Sequence, residues 1–199
     1  QAAFPLVRSV RHKPRAASSP ADARRGEPGS MDDARWRDGF ALLERHGLHF
    51  DLQTPWWHFE AAAALARDFP RITIIVNHTG LPADRTPEGL AGWRQAMELL
   101  AREPNVRLKI SGIGVPGQAW TVALNGPIVR DAIGIFGAER AMFASNFPVD
   151  SLVATFDQIF DGFLAIMANL DAAVCVAPRA LVDELAAASC SKTRVRWSR

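Results

Sequence analysis

Ile72-Thr73-Ile74-Ile75-Val76, running straight into Asn77-His78-Thr79-Gly80, decides how the chain folds. The apolar run is short and rich in branched residues, and it ends on a residue that can do chemistry. Two further stretches repeat the arrangement. Val106-Arg107-Leu108 leads into Lys109-Ile110-Ser111-Gly112, and Ala141-Met142-Phe143-Ala144 into Ser145-Asn146-Phe147-Pro148. Short near-continuous apolar strands, each followed by a helical pattern, are the signature of a parallel sheet buried on both faces. Such sheets bind ligands beyond the carboxyl ends of their strands. Polar residues placed there three times over predict one shared rim.

Working outward from this centre, the same alternation continues in both directions. Leu6 to Arg11 reads as a strand, and Lys13 to Ser30, rich in Pro, Ala, Ser, Arg and Gly, as a mobile loop. Asp32-Asp33 opens a helix closed by His46-Gly47. His49 to Gln53 is a strand, and Trp56 to Asp68 a helix with Pro55 at its start. Glu88 to Arg102 has Leu90, Trp93, Met97 and Leu100 at helical spacing. Helices are expected from Pro127 to Phe136 and from Ser151 to Leu170, with a last one possible over Pro178 to Ala188. The order βαβαβαβαβα implies a parallel sheet with right-handed crossovers. No Gly-rich phosphate loop follows the first strand, which counts against a dinucleotide fold. Five units fall short of a closed eight-stranded barrel and could make a small open sheet. The expected fold is α/β, a partial (β/α)8 TIM barrel of about five βα units.

The totals narrow the class. A chain of 199 residues, 48% hydrophobic and 22% charged, suits one globular domain. No apolar stretch reaches the roughly 20 residues of a membrane span. Cys175 and Cys190 both lie in the tail and make neither a disulfide framework nor a ligand cluster, so a cytoplasmic location is expected. Net charge is +2, with basic residues crowded at both ends and few aromatics between them. That pattern fits solvated termini better than a nucleic-acid surface. The expected partner is a small-molecule substrate, with neither nucleic acid nor membrane. The start at Gln1 fits a fragment or a processed chain.

Candidate site residues follow from position. His78, at a strand end, could act as acid or base or ligate zinc. Lys109 and Ser111 alternate and so share a face with Arg107; an inward lysine there calls for an anion, such as a substrate carboxylate or a developing oxyanion. Asn146 can hold a water or a substrate oxygen. Arg11 could grip a carboxylate with its fork, beside His12. Asp51 and Gln53 alternate at the end of their strand, with Gln53 toward substrate. Trp120, in a loop after a strand end, is expected to wall the pocket. Asp150 is expected to cap the helix that follows it. His46, His49 and His58 read as surface or packing residues.

Taken in order, Val7-Arg8-Ser9-Val10-Arg11-His12, His49-Phe50-Asp51-Leu52-Gln53, Asn77-His78-Thr79-Gly80, Lys109-Ile110-Ser111-Gly112 and Met142 to Val149 resemble the amidohydrolase-related family. These are TIM-barrel hydrolases that include lactonases for sugar lactones and for a pyrone dicarboxylate, with decarboxylases as relatives. The resemblance implies that strands four to eight of the barrel are present over residues 1–170, with a divergent tail over 171–199, and that the chain is truncated at its N-terminus. It makes His78 the strand-six histidine and a candidate metal ligand, and puts Asn146 where many relatives carry an Asp. Gln53 stands where metal-dependent relatives place a histidine. It implies a hydrolase acting on a lactone or similar C–O or C–N bond of a small carboxylated or polyhydroxylated substrate. One divalent metal, zinc, would belong to the complete protein. The His-x-His of strand one is missing from this sequence, and an inactive truncated barrel fragment is the alternative.

Overall fold

The computed structural model describes residues 6–168. Five strands alternate with five α-helices: β1 (Ser9–His12), α1 (Ala34–Arg45), β2 (His49–Leu52), α2 (Phe59–Asp68), β3 (Ile74–Val76), α3 (Pro87–Ala101), β4 (Val106–Ile110), α4 (Val122–Phe136), β5 (Ala141–Phe143) and α5 (Phe156–Ala168). The strands make one parallel sheet in sequence order, β1 to β5, each paired with the next. This is the βα alternation expected from the sequence. Among the described residues the sheet is open, with β1 and β5 each paired on one side only. The expected helix over Pro178 to Ala188 lies outside the described residues.

Local chemistry sets the helix starts. Asp33 accepts from the Arg35 N–H at 3.0 Å to cap α1. Thr86 accepts from the Gly89 N–H at 3.1 Å ahead of Pro87 in α3. Each satisfies a backbone donor that the first helical turn leaves free. Helix α4 begins at Val122 rather than Pro127, because Thr121 caps it by accepting from the Leu124 N–H. Proline marks a first turn well, but here a stronger cap upstream overrides it. The expected helices at Trp56 and Ser151 each open instead with a short 3-10 turn, Trp56–His58 and Val149–Leu152.

Alternation divides the sheet into two faces. Phe50, Leu52, Ile74, Val76, Val106, Leu108 and Ile110 are all buried, and they form the face on which the helices pack. An aromatic group of Trp36, Phe40, Phe50 and Phe69 joins α1 to β2. The opposite face carries Ser9, Arg11, Asp51, Ile75, Arg107 and Lys109, which the parallel register brings side by side. The loop after β1 is tethered. The Arg15 N–H donates to Gly29 O at 2.9 Å, and Ala17 is held by both Trp57 and His58.

Candidate active site

At the carboxyl end of β3 the backbone turns left-handed over four consecutive residues, His78, Thr79, Gly80 and Leu81, with φ of 55°, 55°, 70° and 58°. For residues other than glycine this region costs roughly 1–2 kcal/mol each. Neighbours hold the turn. The Trp93 indole N–H of α3 donates to Thr79 O at 2.8 Å. The Thr79 hydroxyl donates to Ser111 O at 3.2 Å, and the Ser111 N–H returns to Thr79 Oγ1 at 3.3 Å. A Cβ on Gly80 would stand 2.5 Å from the Phe59 ring, and one on Gly112 would stand 2.9 Å from the His78 side chain. Glycine is therefore required at both places.

This turn delivers His78, only 7% exposed, with Nδ1 3.1 Å from Ser111 Oγ. Burial, and then the charges of Arg11, Lys109 and Lys13, push the imidazole down to about 4. It is neutral at pH 7, and Ser111 occupies its Nδ1 side, which leaves Nε2 for other work. The Ser111 hydroxyl thereby fixes the orientation of the histidine ring.

Lys109 meets its anion within the protein. Its Nζ lies 2.7 Å from Asp51 Oδ1, while the Ser9 hydroxyl donates to Asp51 Oδ2 at 2.5 Å. Burial raises the Asp51 carboxyl, but the hydrogen bonds from Lys109 and Ser9 outweigh it, and the group ends below the ordinary carboxylate range. The anion that an inward lysine calls for is found within the protein, in Asp51. Sequence reasoning placed Asp51 on the right face without seeing the pair, because partners two strands apart leave no local spacing signal. Arg107 shares the face with Lys109, as expected, and donates to the carbonyls of Pro104 and Val106. Arg11 is exposed on the Ser9 side of β1, where its charge reaches both Asp51 and His78.

The remaining expected members have these surroundings. His12 points to the helix face, where its Nδ1 accepts from Trp36 Nε1 at 3.3 Å, so it is not with Arg11 in the site. Trp120 is a core residue rather than a pocket wall: it is 8% exposed and meets Phe163 edge-on at 5.4 Å. Gln53 follows β2, half-buried, its backbone N–H on His12 O. Asn146, also left-handed with φ 57°, gives its Nδ2 to Asp150 Oδ1 at 2.7 Å. Asp150 does not cap the next helix with its side chain; burial pushes its carboxyl up, and the Asn146 bond partly offsets this. His58 is buried, its Nε2 accepting from the Ala17 N–H at 2.9 Å.

Residues 4–177 match the family described as Amidohydrolase. The chain belongs to the amidohydrolase family. It is similar to the uncharacterized protein y4mH of Sinorhizobium fredii, 49% identical over 140 residues that cover 70% of this chain and 47% of that protein. It is also similar to an L-fucono-1,5-lactonase of Burkholderia ambifaria, 32% identical over 127 residues, 63% of this chain and 43% of the lactonase. Among solved structures, an amidohydrolase from Burkholderia multivorans superposes with a TM-score of 0.70 at 26% identity, covering 88% of this chain and 63% of that one. The chain thus spans about half the length of the curated relatives it matches. The sheet of this amidohydrolase corresponds to part of the family's barrel.

Zinc is the group that the resemblance implies. Among the described residues no three His, Cys, Asp or Glu side chains gather as a metal would need. A structural or catalytic zinc takes three or four such ligands. His78 alone does not make a centre, and Gln53 and Asn146 offer amides, which zinc sites seldom use. The described residues therefore do not fit a resident zinc.

Proposed function

We propose that this amidohydrolase chain carries the substrate-facing half of a lactone hydrolase. The observation that supports this most is the neutral, buried His78 fixed at the carboxyl end of the sheet beside two cations. A lactone carbonyl placed against Nε2 would be polarised by the imidazole. Lys109 spends one of its three N–H donors on Asp51, so the others remain for the oxyanion that forms when the carbonyl is attacked. Arg11, exposed on the same face, would steady a carboxylate or hydroxyl of the substrate. Asn146, its amide nitrogen committed to Asp150, would hold the attacking water through its carbonyl oxygen. The lactonase relative supports a sugar-derived cyclic ester as substrate.

The remaining expectations belong to the same proposal: a small-molecule substrate, no nucleic acid, and a cytoplasmic setting supported by cysteine usage. Among the described residues, no helix is long and apolar enough to cross a membrane.

A second reading has its own support. A sheet open at both edges is incomplete as a barrel, and the chain would then be an inactive segment until other strands close it. One measurement separates the two. The purified protein is offered a panel of aldonolactones, and acid release is followed with a pH indicator. Turnover that His78→Ala abolishes, with the circular dichroism spectrum preserved, is the expected result. A folded protein that leaves every lactone untouched would overturn the hydrolase proposal in favour of the inactive segment.

A further inference from the structure

Thr79 is out of place by local rules. A β-branched residue at φ 55°, ψ 24° is a genuine backbone outlier, and glycine or asparagine would sit there at less cost. It is also fully buried. Outliers of this kind persist only where the surroundings over-determine them, and they mark functional positions. What threonine supplies and glycine lacks is a hydroxyl, and here the hydroxyl and the carbonyl of the residue are both engaged. The hydroxyl exchanges two hydrogen bonds with the backbone of Ser111, and the carbonyl accepts from Trp93 Nε1. Ser111 is also the residue whose hydroxyl meets His78 Nδ1. Thr79 therefore fastens the residue that carries the imidazole to the residue that orients it.

We propose that Thr79 is a positioning residue for His78, its hydroxyl tying the left-handed turn to the end of β4 and its carbonyl tying it to α3. The inference rests on His78 being the working imidazole. Without the hydroxyl, the turn loses its link to Ser111, and the imidazole shifts against the substrate carbonyl. A misplacement of about 1 Å at a reacting group costs on the order of a hundredfold in rate.

The test compares Thr79→Val, which keeps the shape and removes the hydroxyl, with Thr79→Ser, which keeps the hydroxyl. Amide exchange is followed at Leu81, whose N–H donates to His78 O at 2.8 Å, and at Ser111. Hydrolysis of an aldonolactone gives kcat and KM separately. The expected result is a folded Thr79→Val with faster exchange at both amides, kcat down about a hundredfold and KM nearly unchanged. Thr79→Ser should restore both readouts. Should Thr79→Val not fold, Trp93→Phe keeps an aromatic side chain, loses the indole N–H together with the five-membered ring, and must speed exchange at Leu81. Wild-type exchange and wild-type kcat in the hydroxyl-free variant would overturn the proposal, as would unchanged Leu81 exchange in Trp93→Phe. A wild type without turnover counts against the hydrolase reading alone, and the exchange comparison then decides the role of Thr79.

Discussion

Lys109 Nζ and Asp51 Oδ1 stand 2.7 Å apart, an ion pair that joins β4 to β2 over the face of β3 between them. Ile75 occupies the intervening row, in register with Asp51, and offers neither charge a partner. With 19% and 9% side-chain exposure, the pair is far from a surface contact. Removing one member should leave a half-desolvated charge behind.

Asp51→Asn is expected to destabilise the protein by about 1–3 kcal/mol, measured as a lower urea midpoint at constant m. The Asp51 carboxyl titrates below its ordinary value, so its contribution is present at neutral pH and disappears as pH falls below about 4. The difference between wild type and variant should accordingly narrow in acid. An unchanged midpoint at pH 7 would show that the pair contributes nothing to stability.

The histidine gives a separate pH signature. His78 is held at about 4 against an unperturbed 6.5, so across that window the unfolded chain binds a proton that the folded chain refuses. Stability should fall as pH drops from about 6.5 to about 4, by up to about 3 kcal/mol from this group. His58, also lowered by burial, adds in the same direction. Urea titrations from pH 7 to pH 5 should show a shallower slope in His78→Gln than in wild type. Parallel slopes would mean that the imidazole is already protonated or exposed in the folded state.

Much of this architecture is legible in the sequence. Apolar runs with polar tips give the five strands, and helical spacing gives α3 directly through Leu90, Trp93 and Met97. Capping accounts for the boundary of α4: Thr121 starts the helix, and Pro127 lies within it. The site was legible only in part. Position along a strand identifies Lys109 and Ser111, but not what they touch, because Asp51 and His78 come from other strands. Face was misjudged for His12, which lies beyond reach of the rim, since one residue of offset sends a side chain to the opposite side. Trp120 misled because loop position says nothing about which layer a tryptophan enters. The left-handed turn at Thr79 had no signal at all, as only Gly80 advertises such a backbone.

Trp120 separates core from pocket experimentally. A Cβ on Gly162 of α5 would lie 2.0 Å from the Trp120 ring, so Gly162→Ala forces α5 off the indole. A cost of about 1–3 kcal/mol is expected, read as a lower Tm. Trp120→Ala should cost about 3–5 kcal/mol by leaving a cavity against Phe163. Neither should alter KM for a lactone in whatever fraction remains folded. A selective rise in KM in Trp120→Phe, with Tm unchanged, would restore the ring to the pocket wall.

Asn146 and Asp150 make the last test, because their hydrogen bond is sensitive to a change of one atom. Asn146→Asp sets a second carboxyl 2.7 Å from a buried one whose titration burial already raises. Two such groups cannot both ionise cheaply, so they share a proton and titrate as a pair shifted upward. A carboxyl raised in the folded state loses stability as pH rises through its folded value and regains it in acid. The variant should therefore be less stable than wild type at pH 7 and converge on it toward pH 4, the same trend as Asp51→Asn from the opposite cause. The exchange of roles in Asn146→Asp with Asp150→Asn restores one carboxyl and one amide, and should recover most of the stability at pH 7. A single variant as stable as wild type at pH 7 would show that the two side chains do not meet. A double variant no better than the single one would show that the pair depends on which backbone carries the charge, and would place the acid at 150 by design of the turn.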